Sequence, residues 1–301
     1  MFHRLLKPWF LYRPQQLLRR AFVEVFQPPR GYRALQTSWG IKVIADPSRA
    51  IGRSILTIGL YDLAVSEVLA RLIAPGDTVV DAGANIGYMT LLAGVAAGSS
   101  GRILAFEPHP ELFKVLQRNV ITVGNQLNLN IFETYQVALG DRAGIAELIL
   151  PPDFEQNDGK ARIGQTTSTE RRSITVQTVT LDDLLGDASI ALLKLDVEEF
   201  EPQVLRGAAR LLRQQQIEHI VFEDYLITDS ETAHLLREAG YHLFSLGWSL
   251  RRLRVEPVEV GSLATRYEAP SFIATLAPNE VLNRCRPEGW QVLNRNLANQ
   301  H

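Results

Sequence analysis

The stretch Pro75-Gly76-Asp77-Thr78-Val79-Val80-Asp81-Ala82-Gly83-Ala84-Asn85-Ile86-Gly87-Tyr88 decides how the chain is read. Pro75-Gly76-Asp77 ends whatever precedes it, since Pro and Gly interrupt regular structure. Thr78–Ala82 is a short apolar run of strand type, and Ile86–Ala97 continues as an apolar helix. Between them, Gly83 and Gly87 suit a tight strand-to-helix turn where backbone approaches a ligand. A helix starting there offers unpaired N–H groups to an anionic group.

Two details select the ligand. Asp81 ends the strand, where a carboxylate meets an ammonium well and a pyrophosphate badly. The spacing Gly-x-x-x-Gly, with Asn85 inside it, is not the full G-x-G-x-x-G of dinucleotide-binding turns. Both point to S-adenosylmethionine (SAM), with its methionine carboxylate at the helix start and its ammonium at Asp81. A second strand, Ile103–Phe106, runs into Glu107, an acid placed to accept both hydroxyls of a ribose. Pro108 then ends that strand. The cofactor set here is Asp81, Gly83, Ala84, Asn85, Gly87, Tyr88, Glu107 and Pro108, joined further along the chain by Asp196, a candidate for a cofactor or a catalytic role. His109 either packs on adenine or opens the next helix.

Outward from this turn, strands and helices alternate. Glu111–Val120 reads as a helix and Ile131–Leu139 as a third strand. Leu192–Val197 is a fourth, followed by a helix over Pro202–Arg213. Ile217–Glu223 is a fifth, followed by a helix over Ser230–Glu238. Tyr241–Ser245 and Phe272–Leu276 are two last strands. Apolar strands alternating with helices imply an α/β, Rossmann-like fold, a mostly parallel sheet with helices on both faces. Upstream, Gly31–Ile44 suggests a β-hairpin turning at Trp39-Gly40, and Tyr61–Ile73 a helix. The insertion 140–187 carries strand-like runs at Ile145–Leu150 and Ile174–Val179 around a polar middle, and is either a surface excursion or a lid. The expected organisation is an arm over residues 1–30, one domain over 31–278 and a tail over 279–301. Within the domain, a hairpin and helix at 31–75 precede a SAM-binding core at 76–278.

Composition restricts the partners. The 301 residues are 46% hydrophobic and 21% charged, with a formal net charge of −2, so no global field recruits nucleic acid. A single cysteine, Cys285, excludes an intrachain disulfide and a cysteine-rich metal site, which fits a cytoplasmic location. No run approaches the roughly 18 apolar residues of a spanning helix, and no signal peptide is expected. The first 27 residues interleave Arg4, Lys7, Arg13, Arg19 and Arg20 with Trp9, Phe10, Tyr12, Leu17, Leu18, Phe22 and Phe26. They form either a membrane-surface segment or a helical arm packed on the domain or on a second copy. Pro8 and Pro14 break a long amphipathic helix and favour the arm, which makes a homodimer plausible.

The chemistry belongs at the C-terminal ends of the parallel strands. Asp196 ends the fourth strand, with Lys194 before it and Glu198 after it, while Glu223 and Asp224 end the fifth. If the acceptor atom carries a proton, as a hydroxyl does, methyl transfer needs a base, because a protonated alcohol is a poor nucleophile. In one reading Asp196 or Glu198 is that base, with Lys194 beside it. In the other, Asp196 with Glu223 or Asp224 holds a divalent cation that acidifies the hydroxyl. Against these stand plainer roles: Glu198 capping the next helix, and Lys194 paired with an acid inside the sheet layer. His219 reads as a buried, hydrogen-bonded imidazole, and His242 is a weak candidate for the pocket. The basic run Arg251–Arg254 is expected near the acceptor, where it would suit an acidic substrate.

The chain resembles the FkbM family of methyltransferases. The resemblance runs from about Gly31 to Pro278 and rests on the opening stretch, on Ala105-Phe106-Glu107-Pro108-His109-Pro110, on Val137-Ala138-Leu139-Gly140-Asp141 and on Leu193-Lys194-Leu195-Asp196-Val197-Glu198. The last piece continues through Glu201 and Val204-Leu205-Arg206-Gly207-Ala208. It implies a seven-stranded class I methyltransferase sheet and O-methylation of a hydroxyl on a sugar, glycan or secondary metabolite. It also implies adenine near the third strand's end, with Leu139 as apolar cover and Asp141 as acceptor for the amine. One departure is Glu199, where the family commonly has a glycine, the residue suited to a positive φ. A nicotinamide-dependent oxidoreductase and a non-catalytic SAM-binding module are the alternatives.

Overall fold

The computed structural model describes residues 7, 8, 28, 30–154, 158–164, 172–225, 227, 229–258 and 270–294. The expected N-terminal arm lies almost wholly outside these residues, as does most of the middle of the insertion. The hairpin forms from β1 (Arg33–Gln36) and β2 (Lys42–Ala45), paired antiparallel with Arg33 opposite Ala45. Helix α1 (Ala50–Ile58), which periodicity did not single out, follows and stops at Gly59 in the left-handed conformation. Helix α2 (Leu63–Leu72) is capped by Asp62, whose side chain accepts from the Val65 N–H at 3.0 Å.

The core then begins with β3 (Thr78–Ala82), α3 (Tyr88–Ala97), β4 (Arg102–Phe106), α4 (Pro110–Leu127) and β5 (Phe132–Tyr135). Two residues later comes β6 (Ala138–Leu139), then β7 (Gly144–Leu150), β8 (Arg162–Ile163) and β9 (Arg172–Val179). Helix α5 (Leu181–Leu185) leads to β10 (Ile190–Leu195). The expected single helix after it is two short ones, α6 (Glu201–Arg206) and α7 (Ala209–Arg213). Strand β11 (Ile217–Glu223), α8 (Glu231–Glu238), β12 (His242–Trp248), β13 (Leu253–Pro257) and β14 (Ser271–Thr275) complete the sheet. Helices α9 (Pro278–Cys285) and α10 (Gln291–Asn294) follow.

The main sheet has the order β13-β12-β14-β11-β10-β3-β4-β5. Strands β11, β10, β3, β4 and β5 are parallel, and β14 runs antiparallel between β11 and β12. Seven strands were expected; the eighth, β13, takes part of the basic run into an edge hairpin with β12. Successive strand residues face opposite layers, and both layers are apolar. Val79, Ile103, Leu192 and Val221 join the core on one face, and Val80, Leu104, Leu193 and Phe222 the core on the other. The third expected strand splits because β6 leaves the main sheet for a second one, β6-β9-β7-β8, built from the insertion.

Two buried polar contacts hold the additions to the core. Asn119 of α4 donates to Ile44 O at 3.0 Å and Ile86 O at 2.7 Å and accepts from Ile44 N at 2.7 Å, so the hairpin is tied to the strand-to-helix turn. Glu67 of α2, fully buried, pairs with Arg71 at 2.7 Å and accepts from Gln291 N at 3.0 Å and Val292 N at 3.1 Å. Arg71 donates to Arg284 O at 3.0 Å and Gly289 O at 2.8 Å. Residues expected as a tail are thus anchored through α9 and α10 on α2.

Candidate active site

The turn after β3 is tighter than its sequence suggests. Gly83 and Ala84 donate to Phe106 O at 3.0 and 2.9 Å, Asn85 to Glu107 Oε2 at 2.8 Å, Ile86 to Asn85 Oδ1 at 2.8 Å and Gly87 to Ala84 O at 2.8 Å. The amides from Gly83 to Gly87, expected to be open to an anion, are therefore spent inside the turn. The unpaired N–H groups of a helix's first turn begin only at Tyr88. Gly83 has φ +75°, and a Cβ there would stand 1.8 Å from Asp196 O, so β10 closes directly on the turn. Gly207 is required in the same way: a Cβ on it would stand 1.9 Å from Gly140 O.

A cleft of about 970 Å³ of empty volume, part of it open to solvent, lies along these strand ends. Of the residues singled out in sequence, Gly83, Ala84, Asn85, Tyr88, Glu107, Pro108, Leu139, Lys194, Asp196, Glu198 and Glu223 line it. Asp81, Gly87, His109, Asp141 and Asp224 are not among its lining residues. Asp81 is buried behind the turn, bonded by Thr90 Oγ1 at 2.6 Å and ion-paired with Lys194 at 3.2 Å. His109 caps α4, accepting from Glu111 N at 3.3 Å, and its ring packs on Phe154 at 4.8 Å. His219 is buried and bonded to Thr275 Oγ1 at 2.9 Å, while His242 is exposed and off the cleft. Arg251 and Arg252 are exposed at the β12–β13 turn, also off the cleft, so the idea that they face the substrate is not carried by the structure.

Glu107 is held by two amides, Asn85 N on Oε2 and His109 N on Oε1, both at 2.8 Å. Burial pushes its carboxyl up to about 7, against those two bonds and the charge of Lys194. Lys194 Nζ sits 3.0 Å from Gly83 O and 3.2 Å from both Asp81 and Asp196. Its burial acts to lower its pKa, but the two carboxylates outweigh burial and hold it raised. This is the pairing inside the sheet layer, and it joins β3, β10 and the turn through one ammonium.

At the far end of the cleft, acids gather around Tyr61. Glu198 does not cap α6, whose N-cap is Phe200; instead Glu201 turns back to accept from Val197 N at 3.2 Å. Glu198 and Glu199 both have positive φ, 49° and 67°. The position where the family favours glycine is thus a left-handed one, held here by a carboxylate residue. Glu198 is pushed up to about 7 by burial and then by the charges of Asp196, Glu201 and Glu199, with Lys160 opposing. Glu223 is pushed up to about 8 by burial and by Asp196, Asp62 and Glu198. Burial and the same acids raise the Tyr61 phenol well above its ordinary value. Asp196 is ion-paired with Lys194, Glu223 lines the cleft beside it, and Asp224 is outside the lining. Among the described residues, the one group with metal-ligand spacing is Glu218, His219 and Glu280, at the opposite ends of β11 and its neighbours.

Sequence reasoning missed Tyr61, Ile51 and the insertion's contribution of Leu148, Gly159, Ala161 and Ile163 to the lining. Nothing local marks them, because they reach the cleft only when α1, α2 and the second sheet fold over the strand ends.

The strand order, the glycine turn and the acid ending β4 define a class I, SAM-dependent methyltransferase fold. A family model described as the methyltransferase FkbM domain matches residues 81–243, and the chain belongs to that family. "Methyltransferase 1" of Beauveria bassiana is 32% identical over 156 residues, covering 44% of this chain and 59% of the relative. The 31-O-demethyl-FK506 methyltransferase FkbM of Streptomyces tacrolimicus is 29% identical over 164 residues, covering 44% and 60%. The chain thus matches about three fifths of the length of these curated relatives. A crystal structure of methyltransferase FkbM from Methylobacillus flagellatus superposes with a TM-score of 0.45 at 16% identity, covering 66% of this chain and 43% of that one. Membership in a methyltransferase family removes the nicotinamide alternative.

Proposed function

We propose that this chain transfers the methyl group of SAM to a hydroxyl of a sugar, glycan or secondary metabolite. The observation that carries this reading is the continuity of one cleft from the Gly83–Asn85 turn and Glu107 to the acids at the ends of β10 and β11. Glu107, oriented by two amides, is built to accept ribose hydroxyls, and Leu139 with Phe106 and Pro108 supplies apolar walls for a purine. The bound SAM supplies an electrophilic methyl group; the protein supplies position and a base. Alignment of two reactants contributes on the order of 7–11 kcal/mol in the best intramolecular systems.

Glu198 suits the base. It lines the cleft, and its carboxyl sits at about 7, near the pH at which a carboxylate both exists and binds a proton well. Tyr61 and Glu223, which also line a smaller adjoining cavity with Asp62, are placed to orient the acceptor hydroxyl. Asp196 is less suited to accept the proton, because Lys194 already holds its carboxylate. The Streptomyces tacrolimicus relative is named as a 31-O-demethyl-FK506 methyltransferase, which accords with an oxygen acceptor.

The reading is tested by calorimetric titration with SAM, S-adenosylhomocysteine and NADH, followed by transfer of labelled methyl to a panel of hydroxyl compounds. Binding of the SAM pair alone with methylation of a hydroxyl is expected. Binding of neither SAM nor its product ends the proposal, and SAM binding without transfer to any hydroxyl leaves a non-catalytic module.

A further inference from the structure

The charge of the chain is unevenly distributed along its length. Residues 1–61 hold ten of the 31 Lys and Arg residues but only two of the 33 acids, Glu24 and Asp46, so they carry +8 and the rest of the chain −10. Asp46 offsets little of this outward. It is buried, and its carboxylate is occupied by Gly31 N at 2.9 Å, Ser48 N at 2.9 Å and Ser48 Oγ at 2.7 Å. The same bonds bring the start of β1 against the loop that enters α1. There the Arg49 guanidinium lies 5.7 Å from the centre of the Tyr32 ring, and Arg53 follows one helical turn later on the same side of α1. Arg33 donates to Gly31 O and Arg30 O at 3.4 and 3.1 Å. Arg30, Tyr32, Arg33 and Arg53 are exposed, and among the described residues no carboxylate pairs with Arg30, Arg33 or Arg53.

We propose that this ridge of arginines around Tyr32 docks the protein on a membrane rich in anionic lipid. Two observations favour a bilayer over other polyanions. The ridge is aromatic as well as basic, and the sequence leading into it interleaves five basic residues with Trp9, Phe10, Tyr12, Phe22 and Phe26, types that settle at headgroup level. The rest of the chain, at −10, repels any polyanion that wraps around the protein, whereas a flat surface meets one side alone. Among the described residues no helix is long and apolar enough to cross a membrane, and the proposed contact is with the bilayer surface. Each Lys or Arg near an anionic surface contributes about fivefold in affinity, screened beyond about 8 Å at physiological salt.

The test is co-sedimentation of the full chain with vesicles of phosphatidylcholine and phosphatidylglycerol, against vesicles of phosphatidylcholine alone. Binding to the mixed vesicles only is expected, and its loss in high salt. Arg53→Gln should weaken it about fivefold, and the triple variant Arg30→Gln, Arg33→Gln, Arg53→Gln on the order of a hundredfold, with the thermal midpoint and SAM binding unchanged. The proposal is overturned by equal binding to both vesicles, by binding to neither, or by Arg53→Gln and the triple variant retaining full affinity. A single-stranded RNA that binds more tightly than the mixed vesicles at the same salt overturns it in favour of nucleic acid.

Discussion

The carbonyl oxygen of Asp196 occupies the space that a side chain on Gly83 would need, 1.8 Å from the position of its Cβ. The turn after β3 and the end of β10 are thus packed backbone to backbone. Asp196 N donates to Ala82 O at 3.1 Å, and Lys194 Nζ bonds to Gly83 O at 3.0 Å. These contacts join the glycine turn to the acid-lined end of the cleft.

Gly83→Ala should therefore push β10 off the turn and also force a positive φ on a residue with a Cβ. A loss of about 1–3 kcal/mol in stability and a marked fall in SAM affinity are expected. Denaturant melts and a SAM titration measure both; wild-type values in each would show that the close approach is not needed.

Lys194→Met removes the cation shared by Asp81 and Asp196, and Asp81 is almost fully buried. Breaking such a group by removing one partner costs on the order of 3–5 kcal/mol. Adding Asp81→Asn should restore part of the loss, because no buried carboxylate then lacks its counter-charge. A double variant no more stable than the single one would contradict the pairing.

Glu107 titrates near 7 in the folded state, above the ordinary value of 4.5. A raised carboxyl favours the folded state below about 4.5, and that advantage is lost as pH rises through about 7, since the unfolded chain ionises first. Stability of the free protein should decline across that window, and Glu107→Gln should flatten the decline while weakening SAM binding tenfold or more. An unchanged pH profile would remove burial as the cause of the shift.

Glu198→Gln should lower kcat by about a hundredfold to ten-thousandfold with little change in SAM affinity. In the wild type, kcat/KM should rise with pH through about 7, as the base loses its proton. Should Glu198→Gln keep its activity while Glu223→Gln loses it, the proton goes to Glu223.

Glu67→Ala leaves Arg71 buried without its carboxylate and frees the amides of Gln291 and Val292. A loss on the order of 3–5 kcal/mol is expected, together with faster proteolysis near residue 290. Protection from protease equal to the wild type would mean that α9 and α10 are held by apolar packing alone.

Much of this was readable from residue order. The parallel strands announce themselves because both sheet faces are buried, so Val79-Val80, Leu192-Leu193 and Ile220-Val221 form unbroken apolar runs. The turn, Glu107 and the acids ending β10 and β11 are local in sequence, and their positions in the cleft follow from the fold class. The positive φ suspected at Glu199 is present, since a turn's backbone geometry is a local property too.

Other features depend on which parts of the chain meet. That the turn's amides are spent on Phe106 O and Glu107 depends on β4 lying beside β3, and no local pattern reports it. The burial of Asp81 behind Thr90 and Lys194, the entry of Tyr61 into the cleft and the lining supplied by the insertion arise only when distant elements pack. The acids around Tyr61 are ordinary residues in sequence; burial and mutual repulsion, which only the assembled fold creates, move Glu198 and Glu223 to about 7 and 8. The parallel strands, the glycine turn between β3 and α3 and the family are legible in residue order, because they rest on short-range pattern. Tertiary structure alone decided which polar groups face the cleft and with what charge, because contact and desolvation are properties of the packed chain.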